Sequence, residues 1–161
     1  MQRNNCFPPQ EFRRDDFLIS TDREKIDVNM VHDYLVHDSY WASGVTLEKV
    51  TRSLQHSLCY GVYDCREAKE TQIGFARVIT DFSVFAYLAD VFIMNSYQGQ
   101  GLGKWLISCI LANPELQNMR KWMLHTRDAH GLYQQFGFVV GSDPETYMVY
   151  RPQEQRSPSL Q

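Results

Sequence analysis

Between residues 58 and 94 the chain runs in three blocks rich in β-branched and aromatic residues: Leu58–Asp64, 73–80 and 85–94. Charged or polar turn sequences separate them, so the blocks predict an antiparallel meander. Upstream, residues 17–20 form a short apolar strand candidate, and the hydrophobic period then changes. Ile26, Met30, Tyr34 and Leu35 fall on one helical face. Ser20, Thr21 and Asp22 offer N-cap oxygens before that face, and Glu24, three residues after Thr21, completes a capping box. Thr46 caps a second predicted helix, with Leu47, Val50, Leu54 and Leu58 as its apolar stripe.

Downstream of the meander, residues 101–112 are apolar and helical and stop near Asn113-Pro114. Residues 122–126 predict a strand, 129–136 a helix, and 139–140 and 147–150 two final strands. The expected order is β-α-α-β-β-β-α-β-α-β-β. That is an α/β chain with a mixed, mostly antiparallel central sheet flanked by helices.

Composition narrows the class. A chain of 161 residues suits one domain. A flexible segment over residues 1–16, a folded domain over 17–151 and a flexible tail over 152–161 are expected, because both ends are polar and contain proline. Hydrophobic residues make up 43% of the chain, enough for a core, and the formal net charge is -3. That acidity argues against a nucleic-acid partner. No apolar run approaches the roughly 20 residues that cross a bilayer, so no membrane role is expected. The start lacks the apolar region of a signal peptide. Cys6, Cys59, Cys65 and Cys109 form no C-x-x-C pair and read as reduced thiols, so the expected compartment is the cytoplasm.

The most informative stretch runs from Val91 to Lys104, VFIMNSYQGQGLGK. An apolar strand ends, alternating glycines follow, and a helix begins. Glycine lets backbone amides turn toward a ligand without a Cβ in the way. The free N–H groups and dipole of the next helix favour a phosphate. Lys104 adds a positive charge at the rim. Trp105 follows Gly103-Lys104, so the hydroxyl of a nucleotide-binding P-loop is missing, and the glycine spacing is not that of a dinucleotide fold.

Gln98-x-x-Gly101-x-Gly103 resembles the [RQ]-x-x-G-x-[GA] signature of the GCN5-related N-acetyltransferases (GNAT), and the element order over about residues 17–150 is similar to theirs. The resemblance implies acetyl-CoA as cosubstrate. Its pyrophosphate would lie on the loop formed by Gln98, Gly99, Gln100, Gly101, Leu102, Gly103 and Lys104, and its pantetheine arm would lie along the backbone of Val91, Phe92 and Ile93.

A second segment, Ala129-His130-Gly131-Leu132-Tyr133-Gln134-Gln135-Phe136-Gly137-Phe138, resembles the family's A-x-x-L/V-Y-x-x-x-G-F pattern. By itself Tyr133 reads as a core aromatic. The resemblance implies that its hydroxyl points at the coenzyme sulfur, and an ordinary phenol stays protonated at neutral pH and can donate to a leaving thiolate. Tyr133 is therefore the expected general acid. Many members carry Asn seven residues earlier; here Thr126 stands there, which implies an altered contact to the coenzyme arm.

An amine attacks a thioester as its free base, so a proton acceptor is needed. Asp90 is the best carboxylate candidate; it reads equally well as a structural strand residue. The polyamine branch of the family shows two adjacent carboxylates here, whereas this chain has Leu88-Ala89-Asp90-Val91-Phe92, with the first one missing. Tyr40 and Trp41 lie in the loop that overhangs the acceptor site in this family, as substrate contacts or as core plugs. Arg77 could select an acceptor carboxylate or be a solvated strand charge. His32 and His37, like His125 and His130, are five apart and diverge on a helix, so no metal is expected. The expected reaction is direct acetyl transfer to the primary amine of a small molecule in a ternary complex. The alternatives are a non-catalytic acyl-CoA-binding regulatory module, and a transferase acting on a protein N-terminus or lysine. A homodimer is compatible with the family resemblance.

Overall fold

The computed structural model describes residues 7–141 and 144–150. Two compact units divide the chain after Thr126. The first carries a six-stranded sheet in which sequence neighbours are spatial neighbours: β1 (Glu11–Arg14), β2 (Phe17–Ser20), β3 (Leu58–Asp64), β4 (Thr71–Thr80), β5 (Phe85–Ile93) and β6 (Lys121–Met123). Every pairing is antiparallel except β5 with β6, which is parallel. The fold is thus α/β with a mixed, mostly antiparallel sheet.

Helices α1 (Val28–His37) and α2 (Leu47–Gln55) cover one face. There Val31, Leu35, Val50 and Leu54 bury against Cys59, Phe75 and Phe92. Burial pushes the Cys59 thiol up to about 12, so it behaves as a small apolar side chain. Helix α3 (Leu102–Leu111) serves the opposite face, where strand alternation turns Tyr60 away from Cys59. Just past the end of α3, Asn113 Nδ2 donates to the buried Tyr60 hydroxyl at 2.7 Å, and Leu102, Leu106, Ile107 and Ile110 are buried. Among the described residues no helix is long and apolar enough to cross a membrane.

Several local expectations are corrected. Residues 11–14, expected to be flexible, form β1 and pair with β2 from Glu11↔Ser20 to Arg14↔Phe17. The proposed capping box does not form. Thr21 Oγ1 instead accepts from the Gln10 amide at 2.8 Å, a short 3-10 turn occupies Arg23–Lys25, and Asp27 caps α1 by accepting from the Met30 amide. The edge strand competes for the Thr21 hydroxyl and wins. Thr46 does cap α2, accepting from Lys49 N, but Leu47 is exposed and Leu58 already belongs to β3. β6 ends at Met123, three residues short of the expected strand.

The second unit holds α4 (His130–Gln134), shorter than expected, and a 3-10 turn at Pro144–Thr146. Neither 139–140 nor 147–150 forms a strand among the described residues. Tyr147 and Val149 are about half exposed while Met148 and Tyr150 are almost fully so. Exposure alternates along 147–150, but a strand also needs a ladder partner, which a local pattern cannot supply. The expected tail, 152–161, and residues 1–6 lie outside the described residues.

Candidate active site

The glycine loop leaves β5 through a 3-10 turn, Asn95–Tyr97, and enters α3 with Gly101 as N-cap. Gly99 at φ 79° and Gly101 at φ 73° both occupy the left-handed region, where a Cβ is costly. The first helical bond of α3 runs from Trp105 N to Gly101 O at 3.0 Å. The amides of Gly99, Gln100, Gly101, Leu102, Gly103 and Lys104 donate to nothing among the described residues. Six consecutive donors without an acceptor among the described residues, at the positive end of a ten-residue helix, are the kind of group that can hold a phosphate.

The loop's carbonyls are held on another side. Arg14 on β1 donates through Nη2 to Gln100 O at 3.1 Å, more weakly through Nη1 to Gly101 O at 3.5 Å, and lies 4.8 Å over the Trp105 ring. Sequence reasoning missed Arg14, because nothing in the EFRR segment hints at a partner 86 positions away. Gln98 also braces the turn, since its Nε2 donates to Ile93 O and Asn95 Oδ1, both at 3.1 Å. Lys104 is exposed in the first turn of α3.

Among the described residues, β5 beside this loop is paired on one side only over much of its length. Its ladder with β6 covers Phe85, Ala86 and Tyr87 and stops, whereas β5 continues to Ile93 and stays paired with β4 at Leu88, Ala89, Phe92 and Ile93. The free edge beyond Tyr87 includes Val91, Phe92 and Ile93. Phe92 is locked from beneath by Tyr34, whose ring stacks on it at 3.7 Å and 6°. Close approach of β4 requires Gly74, where a Cβ would come within 2.9 Å of Phe92 O and 2.6 Å of Ile93 Cδ1.

Asp90 sits at a bulge. Between the pairs Phe75↔Phe92 and Arg77↔Ala89, β5 spends one more residue than β4, and Asp90 takes φ 51°. Its carboxylate accepts from Arg77 Nε at 2.5 Å and from the Trp41 indole at 3.1 Å. Arg77 also donates to Ser57 Oγ at 3.2 Å. The pair is mostly buried, with side chains 16% and 11% exposed. Arg77 is therefore engaged with Asp90 and is not a solvated strand charge. Trp41 and Tyr40, in the loop between α1 and α2, are both exposed and meet edge to face at 5.0 Å. The structure thus brings together Trp41, Arg77 and Asp90 at one point of the sheet.

In the second unit, Tyr133 is buried on α4 and meets Phe138 edge to face at 5.9 Å. Gly137 at φ 87° closes the helix, and the Phe138 amide returns to Tyr133 O at 3.3 Å. Thr126 ends the first unit, three residues beyond β6. Among the described residues, no three His, Cys, Asp or Glu side chains gather as a metal site.

Comparison with known proteins sets this geometry in context. A family model described as "Acetyltransferase (GNAT) domain" matches residues 55–140. A Gibberella zeae protein that bears an acetyltransferase name is 31% identical over 147 residues, covering 80% of this chain and 82% of its own length. A crystal structure of a protein of the GNAT family from Xanthomonas campestris superposes with a TM-score of 0.78 at 38% identity, covering 84% and 93% of the two chains. A GNAT-family acetyltransferase from Elizabethkingia anophelis, with acetyl-CoA bound, shares the fold at a TM-score of 0.58 and 15% identity over 86% and 90%.

Proposed function

The chain belongs to the GNAT acetyltransferase family, and on that premise we propose that it moves an acetyl group from acetyl-CoA to the primary amine of a small molecule by direct transfer in a ternary complex. The observation that carries the reading is the run of six unpaired amides, residues 99–104, at the start of α3. A diphosphate is the ligand chemistry that uses several convergent N–H donors and a helix dipole together. The adjacent free edge of β5 supports the same reading, since an extended amide-bearing arm can add to it as a strand would.

In this chemistry the amine nitrogen attacks the thioester carbonyl carbon, the C–S bond breaks, and the coenzyme leaves as a thiol. Backbone N–H groups on the β5 edge polarise the carbonyl. Tyr133 donates the proton that the leaving sulfur takes, a role that rests on its place in the Ala129–Phe138 motif. Trp41 and Tyr40 offer aromatic faces to the acceptor. Arg77 neutralises Asp90, which removes the extra negative charge that a polycation would seek and favours a monoamine.

Calorimetry with acetyl-CoA and CoA, followed by thiol release against amines, amino acids and peptides, tests the proposal. Binding with turnover on small amines is expected, and Tyr133→Phe should lower kcat by about 100-fold. No heat with either coenzyme form overturns the whole reading. Binding without turnover assigns a regulatory module, and turnover on peptides alone assigns a protein acceptor.

A further inference from the structure

Acetyl transfer to an amine needs a proton acceptor on the acceptor side of the sheet, and both Asp90 oxygens are already engaged by Arg77 and Trp41. The sheet offers another protic pair at the place where β5 and β6 separate. Their ladder runs Phe85↔Lys121, Ala86↔Trp122, Tyr87↔Met123 and ends. Tyr87 is thus the last residue of β5 paired with β6, and His125 lies two residues beyond Met123, the last residue of β6 in that ladder. Their side chains join across the gap: the Tyr87 hydroxyl is 2.8 Å from His125 Nδ1, with ring centroids 5.8 Å apart.

Register fixes the face. Tyr87 pairs with Ile79 and Ala89 with Arg77, while Arg77 pairs with Cys59, which is buried under α1 and α2. Residues two apart on a strand share a face, so Tyr87 stands on the side that carries Arg77 and the α1–α2 loop. Burial sets a direction too: Tyr87 is half-buried and His125 is exposed, so a proton entering at the tyrosine leaves toward water.

Resting on the transfer reaction above, we propose that Tyr87 and His125 form the relay that takes the proton from the attacking amine. As the nitrogen bonds to the carbonyl carbon, one N–H proton passes to the Tyr87 oxygen and the Tyr87 hydroxyl proton passes to His125 Nδ1. The resulting imidazolium gives a proton to solvent, and Tyr87 is a phenol again. No other reactant is consumed. Imidazole suits this relay because one ring nitrogen can accept a proton while the other donates one.

The test measures kcat/KM for an acceptor series from alkylamines to weakly basic aryl amines, for the wild type, Tyr87→Phe and His125→Ala. Both variants should lose about 100-fold on alkylamines with acetyl-CoA affinity within twofold. The loss should shrink toward weakly basic acceptors, which reach the free base unaided, and added imidazole should restore His125→Ala. A His125→Ala enzyme as fast as wild type overturns the relay, and so does a loss that is equal for all acceptors and indifferent to imidazole. Those outcomes leave acetyl transfer standing. A folded wild type that releases no thiol with any amine overturns the transfer reading and the relay with it.

Discussion

Arg14 Nη2 donates to the carbonyl oxygen of Gln100 at 3.1 Å, tying the first strand of the sheet to the glycine loop. A carbonyl held on that side keeps its peptide from flipping, so the loop's amides stay turned the other way. The guanidinium does this while lying over Trp105, which a lysine cannot copy with one ammonium. Arg14→Ala should raise the KM for acetyl-CoA about five- to tenfold, the weight of one exposed hydrogen bond, with kcat little changed. Arg14→Lys should fall between. Steady-state kinetics at saturating amine will show whether the two parameters separate.

Asp90 should matter to stability as well as to the acceptor site. Asp90→Ala leaves the Arg77 guanidinium mostly buried without its partner and releases the Trp41 indole. A loss of about 2–4 kcal/mol is expected by urea unfolding, against a smaller one for Asp90→Asn, which keeps an acceptor. If Asp90→Ala unfolds at the wild-type midpoint, the pair is not holding the bulge.

A methyl group at residue 74 should push β5 away. Phe92 O would stand 2.9 Å from the new Cβ, and because it is backbone the strand itself must move. Gly74→Ala should cost about 1–3 kcal/mol and weaken acetyl-CoA binding together with stability. Thermal shift and calorimetry on the same sample will report whether both change.

Acid should loosen the turn that precedes the glycine loop. The Arg66 side chain and backbone N–H, with help from the Tyr97 hydroxyl, hold the Asp64 carboxyl well below the usual carboxylate range. Tyr97 belongs to the 3-10 turn before Gln98. A depressed folded pKa contributes stability that is complete above the unfolded value of about 3.9 and is lost as pH falls further. Wild type should therefore exceed Asp64→Asn in Tm at pH 6 and approach it toward pH 2. A gap that does not narrow at all between pH 6 and pH 2 would contradict the ion pair.

The elements most legible in the sequence are those whose signal is local. β3 lies where its β-branched and aromatic run predicts, Thr46 caps α2, and the glycines at 99 and 101 take the backbone that their lack of a Cβ allows. Three of the candidate groups, Trp41, Arg77 and Asp90, do come together. That both Asp90 oxygens are engaged was not legible, because Arg77 reaches it through a cross-strand register that only the bulge defines.

What the sequence by itself determined is therefore the central helices and strands from α1 to α3, the glycine turn that opens α3, and the family. The tertiary structure alone decided that residues 11–14 form a strand, that Asp27 rather than Thr21 caps α1, that 147–150 does not become a strand, and that Tyr87 meets His125. Helix periods and glycine conformations are properties of neighbouring residues. A ladder, an ion pair or a cross-strand hydrogen bond joins residues far apart in the chain, and its partners exist only once the sheet has chosen its register.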